Sequence, residues 1–351
     1  MEIEIELSDL LVKNFSKYAN HIVYERAIPL LNDGLKPVQR RVLLSMNNLG
    51  LNNNKPFKKA AKVIGDTVGQ YHPHSLDGPY GALVNMTATF SARYPLGDGS
   101  GNFGSIENDP PAAMRYVESR LSKTGDLLLG DTNEATVPWI PTYDNEGLEP
   151  KYLGGFFPNI LCNYTNGIAA GVSSMIPSHN ATEVITALIK TIDQVNKGKD
   201  INTKFLMKYI KGPDFPTEGI IMNPDDIESV YDNGKGKFVI RGQYTIKNKK
   251  ELVFTSIPYT TNVSVIMTGL KKLRENKLCG EFKNFSAKGV LNISIKPARG
   301  QSVDDLIKQV FKKTKLEDNF NSIFTIIYNN KVIEHMPLVS IIKKLLIHYH
   351  N

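Results

Sequence analysis

Residues 93–121, RYPLGDGSGNFGSIENDPPAAMRYVESRL, decide how the rest of the chain is read. Gly97, Gly99, Gly101 and Gly104 crowd one short span, broken by Asp98, Ser100 and Asn102. Such a span reads as a loop that needs positive φ or a close backbone approach, neither helix nor strand. After Pro110-Pro111 the composition changes to AAMRYVESRL, a short helix-forming run carrying Arg115, Tyr116 and Arg120 among small residues. A phenolic hydroxyl between guanidiniums suits phosphoryl chemistry; on spacing alone, a surface aromatic or a core edge explains Tyr116 as well.

Toward the N-terminus, residues 8–24 (SDLLVKNFSKYANHIVY) place apolar side chains at helical spacing behind a Ser8-Asp9 cap, which predicts an amphipathic helix. In residues 26–46 (RAIPLLNDGLKPVQRRVLLSM), Pro29 and Asn32-Asp33-Gly34 make a turn and Pro37 opens a helix. Val38, Val42, Leu43 and Met46 share one face, and Lys36, Arg40 and Arg41 another, which fits either a phosphate backbone or a solvated face. Residues 55–71 (KPFKKAAKVIGDTVGQY) set Lys55, Lys58, Lys59 and Lys62 around a small-residue helix. A second helix follows His72-Pro73-His74, and the pair reads as a helix-turn-helix. Lysines on its first helix would give affinity and salt dependence, not base choice.

Toward the C-terminus, residues 122–150 read as an exposed acidic connector holding Trp139, a packing residue. Residues 156–189 give an apolar strand, a glycine turn and a helix opened by Asn180 with Glu183 three positions on. From about residue 205, the stretches 212–221, 233–246, 249–263 and 288–300 alternate apolar and polar residues between Gly and Pro turns, as strands of an α+β domain do. Lys235, Lys237 and Arg241 would extend a basic track or protect strand edges.

With 351 residues and 41% hydrophobic content, the chain can build two or three cored domains. A net charge of +7 favours a polyanionic partner. Cys162 and Cys279 lack CxxC or His spacing, which argues against structural zinc and a disulfide framework. Asp225-Asp226 and Asp304-Asp305 read as turn or helix-start pairs, so no metal ligand is assigned, and no GxxxxGK[ST] phosphate loop occurs. MEIEIELSDL has no basic or apolar leader character, and no stretch nears the ~20 apolar residues of a membrane span. A soluble protein of a reducing compartment is expected.

The segments RYPLGDGSGNFGS, AAMRYVESRL, DGLKPVQRR, YHPH, GIAAGVSSMIPSHN and GPDFPT together resemble the cleavage subunit of type IIA DNA topoisomerases, from about residue 20 to 350. That family comprises the A subunits of gyrase and topoisomerase IV and their phage counterparts. The resemblance implies an α+β chain: an N-terminal helical arm (1–25), a winged-helix DNA-cleavage domain (26–145) and an α/β tower, or shoulder, domain (146–335). Residues 336–351 would start a coiled coil, although MPLVSIIKKLLIHYHN offers no heptads, as in a truncated, split or naturally minimal subunit.

By the same resemblance, Tyr116 attacks a DNA phosphorus to give a 5′-phosphotyrosyl link, with Arg115 and His74 stabilising the transition state. Lys36, Arg40, Arg41, Lys55, Lys58, Lys59, Lys62, His72 and Arg120 would hold DNA. Ile176, the isoleucine before proline, would wedge between base pairs; a buried residue closing a loop gives the same pattern. Mg2+ and ATP would be bound by a TOPRIM-type ATPase B subunit, in an A2B2 assembly built on a homodimer of this chain in a bacterial or phage-infected cytoplasm.

Asn32 stands where bacterial relatives often carry Arg, and Ser75 replaces the glycine of YHPHG. Asp77 and Gly81 occupy the positions associated with quinolone binding, which implies weak quinolone sensitivity. The rival readings are a non-catalytic DNA-bending protein derived from such a cleavage subunit, and a tyrosine recombinase or relaxase, which leaves GPDFPT and NGIAAG unexplained.

Overall fold

The computed structural model describes residues 7–350 apart from 288, so residues 1–6 of the expected arm lie outside the described residues. Helix α1 (Leu7–Ile22) continues into one wider turn at Val23–Ala27. Helix α2 (Pro37–Asn48) starts on Pro37, whose fixed φ suits a first helical position that has no hydrogen-bond acceptor for an N–H. Helices α3 (Ala60–Gln70) and α4 (Asp77–Thr87) are joined by residues 71–76. Strands β1 (Lys58–Lys59), β2 (Gly97–Ser100) and β3 (Glu118–Leu121) form an antiparallel sheet in the order β1-β3-β2.

The loop expected within residues 93–121 is borne out in part, with φ of 109° at Gly101 and 90° at Gly104, while its first half is strand and the helix expected after Pro111 is corrected. Gly97 and Gly99 are strand residues paired with Leu121 and Ser119. A Cβ on Gly97 would stand 2.4 Å from Thr87 Oγ1, and one on Gly99 2.4 Å from the Phe103 ring. Close packing, not positive φ, therefore requires glycine there. The AAMRYVESRL run is no helix: Met114–Tyr116 form a turn and residues from Glu118 enter β3. Ala60 and Ala61 N–H donate to the Val117 and Met114 carbonyls, and Val117 and Leu121 are buried, so cross-chain pairing and burial override helix propensity. Of the four lysines assigned to a helix, Lys58 and Lys59 lie in β1 and Lys55 precedes it. Residues 122–150 hold α5 (Lys123–Leu129), β4 (Trp139–Pro141) and β5 (Leu148–Pro150), with Leu128, Val137 and Glu149 buried.

Helix α6 (Asn159–Cys162) occupies the apolar stretch read as a strand, and β6 (Thr165–Ala169) and β7 (Val172–Ile176) make a hairpin. Helix α7 (Ala181–Asn196) is capped as predicted, with Asn180 Oδ1 accepting from the N–H groups of Thr182 and Glu183. After α8 (Thr203–Leu206), strand β8 (Ile220–Ile221), helix α9 (Ile227–Asn233) and strand β9 (Lys235–Arg241) lead into an inserted unit. Strands β10 (Tyr244–Lys247), β11 (Glu251–Phe254), β12 (Phe282–Asn284) and β13 (Ile293–Ile295) pair in the order β10-β11-β13-β12 there. Helices α10 (Val263–Glu275) and α11 (Val303–Lys313) pack on this sheet. Strand β14 (Glu317–Ile323) returns to complete the antiparallel sheet β6-β7-β14-β9-β8, and β15 (Ile326–Tyr328), β16 (Lys331–Ile333) and α12 (Leu338–His350) follow.

The fold is mixed α+β with two main cores. One joins Leu43, Leu121, Leu161, Leu188, Phe238, Phe320 and Leu345, so residues on both sides of position 145 share it. The other, with Phe254, Leu270, Ile293 and Val310, belongs to the inserted unit. Helix α12 buries Leu338, Ile341, Ile342 and Leu345 in the first core, a broad face rather than the narrow a/d seam of a coiled coil. Among the described residues, no helix is long and apolar enough to cross a membrane.

Asp33 fastens the first core. Its Oδ1 accepts from Leu35 N–H (3.0 Å) and Arg40 Nη2 (3.1 Å), and its Oδ2 from Arg40 Nε (2.6 Å) and Leu153 N–H (3.0 Å). Arg40 is only 6% exposed. The expectation that it lines an open basic face is corrected, because its carboxylate partner draws it inward. Asp33→Ala should lower the unfolding free energy by about 3–5 kcal/mol in a denaturant titration, since it strands a buried guanidinium.

His179 is fully buried, with Nδ1–H donating to the Leu161 carbonyl (2.9 Å) and Nε2 accepting from the Tyr231 hydroxyl (2.9 Å). Burial pushes its pKa down to about 4. The unfolded chain, titrating near ~6.5, binds the proton more readily, so this contribution is fully present above pH ~6.5 and is lost as pH falls toward 4. The slope should approach about 1.4 kcal/mol per pH unit for this group, and His179→Gln should flatten a plot of unfolding free energy against pH across that window.

Candidate nucleic-acid interface

Tyr116 ends the Met114–Tyr116 turn, between the buried side chain of Val117 and the N–H contact of Ala112 with the Asn102 carbonyl (3.0 Å). The backbone is held on both sides, and the phenol is 65% exposed. Arg115 is exposed beside it, its Cζ 4.6 Å from the Tyr116 ring centroid, a cation–π distance. The turn thus presents a hydroxyl and a guanidinium together on an open surface.

His74 is exposed in the α3–α4 connection, its ring 4.8 Å from that of His72. Among the described residues no hydrogen bond joins His74 to Tyr116; Arg115 is the expected partner that the fold places there. His72 lies half-buried, with Nδ1 3.2 Å from Arg41 Nη1. Burial first, then the Arg41 charge, pushes its pKa down to about 4, so it is neutral at pH 7 and contributes no cation. Arg41 gives Nε and Nη2 to the two carboxylate oxygens of Glu149, at 2.8 and 2.7 Å. Glu149, placed by sequence in an open connector, is 5% exposed; its burial has no local sequence signal beyond its place in a short strand.

The other expected DNA-binding residues divide. Lys55, Lys58 and Lys62 are exposed and form no ion pair among the described residues, while Lys59 meets Glu118 at 3.1 Å on the surface. Lys36 is half-buried with Nζ on the Asn166 carbonyl, and burial lowers its pKa. Arg120 is a brace: Nε reaches Asp98 (2.9 Å), Nη1 the Lys55 carbonyl (2.9 Å), and its Cζ lies 4.1 Å from the Phe57 ring centroid. Arg241 is likewise committed, to Glu317 and to the face of Phe311.

The assignment of an inserted wedge to Ile176 is corrected. Ile176 is 0% exposed, pairs with Thr165 across the β6–β7 hairpin and belongs to the main core. Ile168, on β6 of the same hairpin, is 83% exposed. The signal was present as alternation: counted from buried Thr165, Gly167 faces inward and Ile168 outward. A Cβ on Gly167 would stand 1.9 Å from the Ala27 carbonyl, so the hairpin is seated directly on the turn after α1. Asp77 and Gly81 of α4 share a cleft of about 560 Å3 with Lys36, Asn85 and Asn166. No group of three or more His, Cys, Asp or Glu suited to a metal occurs among the described residues; Asp98 is taken by Arg120 and Asp109 by Ser105 Oγ.

The exposed phenol beside a guanidinium suits attack on phosphorus, and the exposed lysines without carboxylate partners among the described residues suit a polyanion. The family model that describes the A subunits of DNA gyrase and topoisomerase IV matches residues 26–351. The chain is 41% identical over 325 residues to the A subunit of DNA topoisomerase 4 from Staphylococcus epidermidis, covering 91% of this chain and 40% of that protein. It is 38% identical over 352 residues to the DNA gyrase A subunit of Kosmotoga olearia, covering 99% and 43% respectively. For the DNA gyrase A subunit of Thermotoga maritima, identity is 37% over 348 residues, covering 97% and 43%. The chain therefore spans about two fifths of the length of these relatives. A family match that runs through the Tyr116 turn, the α3–α4 pair and the sheets leads to one conclusion: the chain belongs to the family of DNA gyrase and topoisomerase IV A subunits.

Proposed function

We propose that this chain is the DNA breakage and reunion part of a type IIA topoisomerase, which opens duplex DNA through a transient 5′-phosphotyrosyl bond for relaxation or decatenation. The observation that carries this reading is Tyr116, 65% exposed on a fixed turn with Arg115 against its ring. Helices α3 and α4 with the β1-β3-β2 sheet are read as the winged helix of a cleavage domain at 26–145. Residues 146–335 are read as the tower, and α12 as the approach to a coiled coil.

In the proposed reaction, Tyr116 Oη bonds to a DNA phosphorus as the bond to the 3′ oxygen breaks, the phenolic proton is released, and the leaving oxygen gains a proton to become a 3′-hydroxyl. A phosphoester is exchanged for a phosphoester, so resealing is the same step reversed. Arg115 offsets negative charge gathering on the equatorial oxygens, and His74 acts where the phosphate bridges it to the turn. Lys55, Lys58, Lys59 and Lys62 supply non-specific grip on the backbone, and Ile168 takes the wedge role.

Among the described residues, no three or more His, Cys, Asp or Glu gather as a metal-holding group. Mg2+ and ATP are assigned to a TOPRIM-type B partner, in an A2B2 assembly around a homodimer of this chain in the cytoplasm of a bacterium or phage-infected host.

A trapping assay tests the reading: labelled duplex, Mg2+ and a candidate B subunit, quenched with detergent, should give an adduct that mass spectrometry maps to Tyr116. Tyr116→Phe should bind duplex within about twofold of wild type and give no adduct. No adduct with any partner, but tight bending of DNA, would favour the architectural reading instead. Ile168→Ala should reduce bending, read by energy transfer between duplex ends, and leave the unfolding curve in place. Ile176→Ala should instead cost about 2–4 kcal/mol of stability as a core truncation, with bending intact in the folded fraction.

A further inference from the structure

We propose that Glu149 is a positioning residue: by gripping Arg41 it fixes a guanidinium N–H against Nδ1 of His72, and so sets the tautomer and orientation of the His72–His74 pair. Only the expected effect on DNA cleavage rests on the topoisomerase reading; the arrangement of side chains stands without it.

Glu149 lies in β5 opposite Ile140 of β4 and is buried together with Pro150, while Leu148 stays exposed. The two oxygens take Nε and Nη2 of Arg41, a fork that fixes the guanidinium plane. The side chains are 6% and 13% exposed, so water does little to loosen the pair. The one terminal nitrogen left over, Nη1, meets His72 Nδ1 at 3.2 Å. A guanidinium only donates, so Nδ1 must accept and the ring proton must sit on Nε2. That neutral ring then stands edge-on to His74 at 4.8 Å.

The charges around His72 agree with this. Arg41 on α2, Arg26 in the turn after α1 and His74 in the same connection all disfavour a second proton, and Glu149 faces Arg41, not the ring. Without Glu149, Arg41 would become a half-buried cation able to leave His72 for solvent or a phosphate. The pair therefore also keeps Arg41 from acting as an open phosphate ligand like Lys55 or Lys62.

Glu149→Gln keeps the shape and removes the charge. In the full chain with 15N-labelled histidine, with His72→Gln for assignment, wild type should show one neutral tautomer at His72, protonated on Nε2. Glu149→Gln should show a tautomer mixture and a His72 titration moved up toward the ordinary ~6.5 by the part of the depression that Arg41 supplies, burial keeping the rest. Glu149→Asp should lie in between. With duplex and partner, adduct formation in Glu149→Gln should fall about tenfold to a hundredfold while duplex affinity stays within about threefold. A folded Glu149→Gln protein with the wild-type His72 tautomer and titration would overturn the proposal. Should that variant not fold, Arg41→Lys removes the fork and keeps the charge, and an unchanged His72 there would overturn it equally. The His72 change without any wild-type adduct would uphold the positioning role and remove the cleavage reading.

Discussion

The buried pair of Asp33 and Arg40 is the constraint on which the seating of α2 against α6 and the 153 loop depends. Desolvating two charges costs several kcal/mol each, and is offset only when every lone pair and donor is used. Asp33 meets that condition with Arg40, Leu35 and Leu153, and its carbonyl accepts from Asn159 Nδ2 at 3.0 Å. Those contacts tie the turn before α2, the helix itself, the 153 loop and α6 into one unit. The N-terminus of α2, which carries Lys36, and the hairpin that carries Ile168 are thereby fixed relative to each other, and Lys36 closes the gap by reaching the Asn166 carbonyl.

A net charge of +7 says little until the cations are sorted by kind. Arg40, Arg41, Arg93, Arg120 and Arg241 each hold a carboxylate, and all but Arg40 thereby join elements well separated in sequence. Planar forks suit that work, whereas a lysine ammonium keeps its hydration and moves freely. Lys55, Lys58 and Lys62, exposed and without a carboxylate partner among the described residues, are left for a polyanion. Arg115 differs from these five, because its partner is the ring of Tyr116 and not a carboxylate.

Features set by local chemistry were legible in the sequence: the Asn180 cap, the Pro37 helix start, and the pair of helices around His72-Pro73-His74. Motif resemblance found the family and pointed to Tyr116 as the proposed nucleophile. Features set by distant partners were not legible. Gly97 and Gly99 read as a loop because nothing nearby announces Thr87 and Phe103, whose bulk demands the missing Cβ. Glu149 read as a connector carboxylate because Arg41 lies 108 residues away. Arg40 read as a surface cation because helical spacing cannot show that Asp33, seven residues back, turns in to meet it. Ile168 and Ile176 differ in kind: strand alternation from Thr165 separates them, and the proline beside Ile176 drew attention to the buried one.

Under the proposed function, the exposure of Ile168 has an energetic meaning. Leaving an isoleucine in water instead of burying it costs about 1.5–3 kcal/mol. Unstacking a base step costs a few kcal/mol, the same order. A prong at 83% exposure can therefore offset much of the local cost of a kink when it enters the stack. That transfer works only if the prong does not retreat. Gly167, pressed against the Ala27 carbonyl, gives the hairpin no room to do so, and the packing that makes residue 167 a glycine is what makes residue 168 a wedge.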